Sequence, residues 1–246
     1  MLNQFISGVT SSMPEIRNTH PRVINTLNPH SYVVAKQDGE FKDALLEADV
    51  LLPDGIGIVL AARVLQRKKI TRIAGSDIHV YILRKLNKNG GRIFYLGSSE
   101  QTLRLLTARV KREFPNITVA SYSPPFKHNF SDEENNAMIK AVNTFSPDVL
   151  FVGMTAPKQE KWVHRQKDRL NAKTICSIGA VFDFYAGTVK RASPFWIKIG
   201  LEFVPRFFKE PRRLWRRVFV SIPIFMWDVF ILKMKLMFNS TRIKNK

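Results

Sequence analysis

An acidic residue between proline and glycine ends a short apolar run near residue 50. Residues 50–52 are apolar and predict a strand, which stops at Pro53-Asp54-Gly55. A carboxylate in this position is exposed, and the glycine behind it lets a ligand approach the backbone closely. Asp54 could therefore act as a general base that takes a proton from a bound hydroxyl group. The alternative is a turn residue that caps the next helix, and the motif alone fits both.

Two more predicted strand ends carry residues suited to binding an anion. Gly97 ends the apolar strand 92–97, and Ser98 then leads into a helix whose free backbone N–H groups attract phosphate. Gly153 ends the strand 148–153, and Lys158 and Gln159 fall in the first turn of the following helix. A lysine there suits phosphate and a glutamine suits hydroxyl groups. The alternatives are that Ser98 only caps its helix and that the turn after residue 157 is a solvated surface.

The elements around these motifs alternate between strand and helix. From residue 22 onward, short apolar runs of strand length are followed by stretches with helical periodicity, through a last strand at 174–180. This pattern predicts an α/β fold, Rossmann-like, with a mostly parallel sheet flanked by helices. Because ligands bind at the carboxyl ends of such strands, the polar residues at these ends are expected to meet at one rim.

The composition excludes several classes of protein. The single cysteine, Cys176, excludes an internal disulfide framework, and its apolar neighbours predict a buried core thiol. The five histidines are scattered without a metal-binding spacing, so we expect no metal. The strand end at Gly97 lacks both the dinucleotide-binding and the P-loop patterns, and we expect no cofactor. Abundant Phe, Ile, Leu and Val exclude a disordered chain.

The positive charge is concentrated in the last quarter of the chain. The formal net charge is +19, and residues 187–246 hold 14 Lys and Arg against 3 Asp and Glu, or +11. Such charge requires a polyanionic neighbour: nucleic acid, an anionic membrane or a phosphorylated substrate. Because these residues are also rich in aromatic side chains and form no recognisable nucleic-acid-binding module, we expect a membrane surface and no nucleic acid.

Three arginines of this segment share one helical face. Arg206, Arg213 and Arg216 stand at offsets of 0, 7 and 10, provided that Pro211 sits at a break in the helix. Arginine can bind a phosphate group with two parallel hydrogen bonds, so this face could bind phosphate. The alternative is a basic face that is exposed to solvent and binds no ligand. The apolar run 218–232 is short for a membrane span and contains Pro223. It fits a helix at the membrane interface better than a spanning helix, and a core or oligomer helix remains an alternative.

Seven motifs together resemble the WecG/TagA/CpsF glycosyltransferases, glycosyltransferase family 26. They run in order from about residue 5 to residue 217, and their order and spacing make the resemblance specific. The motifs are Thr26-x-Asn28, residues 53–57, Arg72-x-x-Gly75-Ser76-Asp77, residues 153–160, residues 179–187, Lys190-Arg191-Ala192 and residues 200–213.

The resemblance implies an inverting, metal-independent transfer from a UDP-sugar to a polyprenyl-diphosphate-linked sugar, in cell-surface polysaccharide or teichoic acid synthesis. N-acetylmannosamine is the expected sugar, and the alternative is transfer of glucose or another hexose in exopolysaccharide assembly. The basic segment leaves a second class of function open, a non-catalytic protein that binds a membrane or nucleic acid. Asp54 resembles the proposed general base. The implied substrate-binding residues are Thr26, Asn28, Arg72, Gln159, Arg206, Arg213 and Arg216, and the implied nucleotide-sugar cleft contains Gly97, Ser98, Gly153 and Lys158.

The resemblance also implies how the chain is organised. Residues 1–195 are expected to form the Rossmann-like core, and residues 196–246 a basic, aromatic-rich and amphipathic helical appendage that associates with the membrane. The expected location is the cytoplasmic face of the cell membrane, as a peripheral protein without a secretory signal. A homo-oligomer is compatible with all of these expectations.

Overall fold

A six-stranded sheet, parallel throughout, lies at the centre of the computed structural model. The structure describes residues 1–15, 21–190, 192–193, 195–196, 204, 207–208 and 211–244, without the side chains of Arg213 and of residues 239–244. The strands are β1 (Arg22–Leu27), β2 (Val50–Pro53), β3 (Gly91–Gly97), β4 (Ile117–Tyr122), β5 (Val149–Gly153) and β6 (Thr174–Ser177). Their order is β2-β1-β6-β5-β3-β4, and each pair of neighbours is parallel. The predicted fold class is confirmed.

Helices follow the strands on both faces of the sheet. They are α1 (Leu2–Gly8), α2 (Pro29–Ala35), α3 (Gly39–Leu46), α4 (Ile56–Gln66), α5 (Gly75–Asn89), α6 (Glu100–Glu113), α7 (Asp132–Phe145), α8 (Lys158–Gln166) and α9 (Val181–Ala186). A short 3₁₀ turn (Lys167–Arg169) extends α8. After the partly described segment 191–210 come α10 (Pro211–Trp215), a π-helix (Arg216–Ser221) and α11 (Ile222–Lys244). The predicted C-terminal helix is therefore present.

Alternating residues of the central strands fill two separate layers of core. On β5, Phe151 packs with helices α5, α6 and α9, whereas its neighbour Leu150 packs with α7 and α8. Both side chains are fully buried, because a parallel sheet is covered by helices on each face. The Tyr95 and Phe151 rings stack with centroids 5.4 Å apart. Cys176 is buried in the same layer as Phe151, as expected for a core thiol.

A third core cluster joins the C-terminal helix α11 to the N-terminal helices. Phe225 and Val229 of α11 are buried together with apolar side chains of α1, α2, α3 and α4. The Asp228 carboxylate accepts hydrogen bonds from the Tyr32 hydroxyl at 2.8 Å and from the Lys36 ammonium at 2.7 Å. Burial, and the hydrogen bond to Asp228, raise the pKa of Tyr32. The described part of the predicted appendage is thus anchored on α2, while the boundary at residue 195 stays a prediction.

The apolar run at residues 31–35 belongs to a helix, α2, that the apolar pattern alone did not indicate. Asn28 caps this helix, since its Oδ1 accepts hydrogen bonds from the backbone N–H groups of His30 and Ser31. The Ser31 hydroxyl in turn accepts a hydrogen bond from the Asn28 backbone N–H, which completes a capping box. Pro29 occupies the first turn, where its missing N–H costs nothing.

Candidate active site

A cavity of about 660 Å³ opens at the carboxyl ends of the strands. Residues that follow each of the six strands line it, from Asn28 after β1 to Ile178 after β6. This is the edge at which ligands bind in open parallel sheets. Its volume lies in the range of pockets that hold small organic ligands.

The cavity brings together most of the site residues predicted from the sequence. Those that line it are Thr26, Asn28, Asp54, Ser98, Gly153, Lys158 and Gln159. Arg72, in the segment between α4 and α5, Gly97 and Arg216 are not among the lining residues. Arg213 lies in α10 with its side chain outside the described part, and Arg206 lies outside the described residues altogether.

The first two strands place Asp54 beside Thr26 and Asn28. β1 and β2 pair in register, with Thr26 opposite Leu52, so both strands end at the same level. The Asp54 backbone N–H donates a hydrogen bond to the Leu27 carbonyl at 2.8 Å, which extends the pairing by one residue. Asp54 is half-buried at the cavity wall. A carboxylate in this position can take a proton from a hydroxyl group that enters the cavity.

The ends of β3 and β5 approach so closely that side chains are excluded between them. Gly97 and Gly153 are register partners, and a Cβ on Gly97 would lie 2.4 Å from the Gly153 carbonyl oxygen. Gly97 also has a φ of +115°, which favours glycine. Two non-glycine residues of the cavity, Ser98 and Thr155, have positive φ values of 62° and 71°. Such strained residues concentrate at ligand sites.

The N-terminus of α6 opens into the cavity beside these strand ends. Its capping residue is Ser99, whose hydroxyl accepts a hydrogen bond from the Thr102 N–H at 3.2 Å. Ser98 therefore does not cap the helix, which the sequence had left open. Asp183 of α9 also lines the cavity, and its carboxylate accepts a hydrogen bond from the Thr102 hydroxyl at 3.4 Å. Asp183 was not predicted, and it lines the cavity together with the carboxyl groups of Asp54, Glu100 and Glu160.

Gln159 and Glu160 form a buried polar pair at the start of α8. The side chain of Gln159 is 4% exposed and that of Glu160 is 3% exposed. Gln159 Oε1 accepts a hydrogen bond from the Met154 N–H at 3.1 Å, and Gln159 Nε2 donates to Glu160 Oε1 at 2.9 Å. Burial raises the pKa of the Glu160 carboxyl from 4.5 to about 7, against the smaller opposing effect of the Gln159 hydrogen bond.

Two cationic side chains, Lys158 of α8 and Arg217 of the π-helix, line the cavity. The Lys158 ammonium donates a hydrogen bond to the Lys127 carbonyl and lies 3.8 Å from the centroid of the Phe130 ring. Burial lowers the pKa of Lys158. Arg217 reaches the cavity from the π-helix. Burial and the Arg217 charge lower the pKa of His30 to about 4. These cations can balance a bound phosphate or diphosphate.

The sequence pattern selected Arg216, but the structure brings its neighbour Arg217 into the cavity. Arg216 and Arg217 are the first two residues of the π-helix, in which Arg216 is exposed and Arg217 is half-buried at the cavity. The Ser221 hydroxyl at the end of this π-helix lies 2.9 Å from His30 Nδ1, which fixes the π-helix against α2. No sequence signal for a π-helix was evident.

Comparisons with known proteins identify the family to which this chain is similar. Residues 4–239 match the model of the glycosyl transferase WecG/TagA/CpsF family. A Bacillus subtilis protein is 32% identical over 82% of this chain and 76% of its own length. A Bacillus spizizenii protein is 34% identical over 84% and 77%, and a Staphylococcus aureus protein is 27% identical over 89% and 84%.

All three relatives carry the same name, N-acetylglucosaminyldiphosphoundecaprenol N-acetyl-beta-D-mannosaminyltransferase. The family match spans nearly the whole chain, including the strand ends that line the cavity and the helices that carry Arg217 and Asp228. The chain therefore belongs to the WecG/TagA/CpsF family and is a glycosyltransferase.

Proposed function

We propose that this glycosyltransferase transfers N-acetylmannosamine from its UDP derivative to N-acetylglucosaminyl-diphospho-undecaprenol. The observation that carries the proposal is the cavity, in which the Asp54 carboxylate shares the wall with Lys158 and Arg217. A transfer of this kind needs a base for the acceptor hydroxyl and positive charge for the departing diphosphate. The names of three relatives, which span most of this chain, support the choice of sugar and acceptor.

In the proposed reaction, one acceptor hydroxyl of N-acetylglucosamine attacks the anomeric carbon of the donor. The new bond from this oxygen to the anomeric carbon forms as the bond from that carbon to the UDP oxygen breaks, with inversion. Asp54 takes the proton of the attacking hydroxyl, and UDP leaves with the electrons of the broken bond. Arg217, Lys158 and the N-terminus of α6 stabilise the charge that develops on the diphosphate.

Thr26, Asn28 and Gln159 bind sugar hydroxyl groups in this proposal. Their position supports it, since all three line the cavity wall that also holds Asp54. Ser98 and Gly153 belong to the nucleotide-sugar cleft, whose wall includes the close contact between β3 and β5. For Arg206, Arg213 and Arg216, we propose contact with the diphosphate of the lipid-linked acceptor.

We also propose peripheral association with the cytoplasmic face of the membrane, through residues 196–246 together with α4. No helix within the described part of the chain is long and apolar enough to cross a membrane. Helices α4 and α11 contact each other, and the Lys233 ammonium donates a hydrogen bond to the Val64 carbonyl at 3.0 Å. Both helices expose large apolar side chains, namely Ile56, Leu60 and Val64 on α4 and Trp227 and Phe230 on α11.

Basic residues lie beside this apolar surface. The end of α4 and the segment after it expose Arg63, Arg67, Lys68 and Lys69. Apolar side chains next to lysine and arginine favour a surface of anionic lipid. Because α4 begins two residues after Asp54, this arrangement would hold the base close to a membrane-embedded acceptor.

The experiment measures release of UDP from UDP-N-acetylmannosamine, UDP-glucose and UDP-N-acetylglucosamine, with a lipid-diphosphate-N-acetylglucosamine analogue as acceptor. We expect turnover to be fastest with UDP-N-acetylmannosamine. Asp54→Asn should lower kcat about 10² to 10⁴-fold, the usual contribution of a general base. The matched control is Asp183→Asn, which makes the same change at the other half-buried carboxylate of the cavity. Absence of UDP release with every donor, or an unchanged kcat in Asp54→Asn, would contradict the proposal.

A further inference from the structure

The carboxyl group of Glu160 lies directly behind the amide of Gln159. One oxygen, Oε1, accepts the 2.9 Å hydrogen bond from Gln159 Nε2. The other oxygen, Oε2, is buried and has no hydrogen-bond partner within the described part of the protein. A buried carboxyl group with one unpartnered oxygen destabilises a fold. Its presence at the wall of the cavity therefore calls for an explanation other than stability.

The amide group of Gln159 is held from two sides. The Met154 N–H can only donate, so the atom that faces it must be Oε1, and Nε2 must then face Glu160. The amide lies against the backbone of Gly179, where a Cβ would be 3.6 Å from both Oε1 and Nε2. A primary amide has two N–H donors and two acceptor lone pairs, so one donor and one lone pair remain.

We infer that Glu160 is a positioning residue, which orients the Gln159 amide so that its remaining donor and acceptor meet a sugar hydroxyl group in the cavity. Hydrogen bonds are directional, so both of these contacts form only if the plane of the amide is held in a fixed orientation. An orienting contact behind a binding group improves the precision of the site. This role rests on the proposed function, in which Gln159 binds sugar.

Two substitutions of Glu160 distinguish the loss of its hydrogen-bond acceptor from other effects of changing the side chain. Glu160→Leu removes the oxygen that accepts from Gln159, and kcat/KM for the nucleotide sugar should fall about tenfold, as for the loss of one well-placed hydrogen bond. Glu160→Gln retains a side-chain oxygen at a similar position, and its kcat/KM should stay within about threefold of the wild type. A merely structural role predicts that Glu160→Leu leaves kcat/KM of the folded protein unchanged. Tm should change little in either case, because the loss of the unpartnered Oε2 stabilises the fold while the loss of the acceptor leaves the buried Gln159 Nε2 unpaired.

A double-mutant cycle tests whether Glu160 acts through Gln159. Gln159→Ala alone should lower kcat/KM, and adding Glu160→Leu to it should change kcat/KM by less than about twofold, because no amide is left to orient. A further tenfold fall in the Gln159→Ala background would overturn the inference, as would Glu160→Leu with wild-type kcat/KM. If the leucine variant does not fold, Glu160→Met removes the same acceptor with an unbranched side chain.

The wild-type protein serves as the reference for both ideas. If the wild-type protein releases no UDP from any donor, both the proposed function and the role of Glu160 are contradicted. An active wild-type protein with independent effects of the two substitutions contradicts only the role of Glu160.

Discussion

The buried carboxyl of Glu160 makes stability depend on pH in a way that one substitution removes. Burial raises its pKa from 4.5 to about 7 in the folded protein, so between these values the folded chain holds a proton that the unfolded chain has lost. The folded state then becomes less stable as the pH rises, because the unfolded state ionises more easily. This contribution to stability is complete below pH 4.5 and is lost by about pH 7. Glu160→Gln is neutral at every pH and does not undergo this loss.

The size of the effect follows from the two pKa values. A tenfold change in proton affinity corresponds to about 1.4 kcal/mol, so a pKa that moves from 4.5 to about 7 corresponds to about 3 kcal/mol. The free energy of unfolding of Glu160→Gln, minus that of the wild type, should therefore increase by about 3 kcal/mol between pH 4.5 and 7.5. Other groups titrate in the same range, including His30, but they occur in both proteins and cancel in this difference.

Urea unfolding at pH 4.5, 5.5, 6.5 and 7.5 measures this difference, with the slope of each transition checked for constancy. Glu100→Gln makes the same chemical change at an exposed position on α6 and controls for the loss of one negative charge. A difference between Glu160→Gln and wild type that stays constant across the four pH values would refute the argument that burial keeps Glu160 protonated.

Three further predictions test the core, the strand ends and the membrane surface. Phe225→Ala should lower the free energy of unfolding by about 3–5 kcal/mol in urea titrations, because its ring is fully buried; an unchanged midpoint would mean that α11 is not part of the core. Gly97→Ala should lower the free energy of unfolding by more than about 1 kcal/mol in the same titrations, because the added Cβ meets the Gly153 carbonyl. An unfolding free energy equal to that of the wild type would show that the ends of β3 and β5 move apart freely. Leu60→Glu should weaken binding to anionic vesicles about tenfold. Leu105→Glu, the same change at a similarly exposed leucine of α6, should not weaken it. Equal losses of vesicle affinity in the two variants would exclude a specific contact through α4.

Much of the fold could be predicted because buried parallel strands have a simple local pattern. Residues 93–96 and 149–152 are continuous apolar runs followed by glycine, and they lie in β3 and β5. Residues 56–66 have helical periodicity in the sequence, and they form helix α4 with the same bounds. The apolar residues 32–35 alone indicate no helix, although Asn28-Pro29-x-Ser31 before them is a helix-start signal.

The site could be predicted only where its residues follow strands. Asp54 and Gln159 come shortly after strand ends, and parallel strands bring such positions together, so their proximity follows from topology. The pairing of Glu160 with Gln159 could not be predicted, because a glutamate in the first turn of a helix usually faces solvent and its burial depends on packing. Arg217 was missed because the predicted arginine face was drawn through Arg216, and no sequence signal indicated the π-helix that carries Arg217.

The place of β6 in the sheet has a consequence for how the chain folds during synthesis. β1 and β2 form one block and β3, β4 and β5 another, and within the described sheet β6 is the strand that joins them. Until the ribosome has released β6, β1 and β5 each present an unpaired edge, which favours pairing with other chains. We expect nascent chains that stop before residue 174 to aggregate or to bind chaperones, and chains that extend past α9 to become resistant to protease.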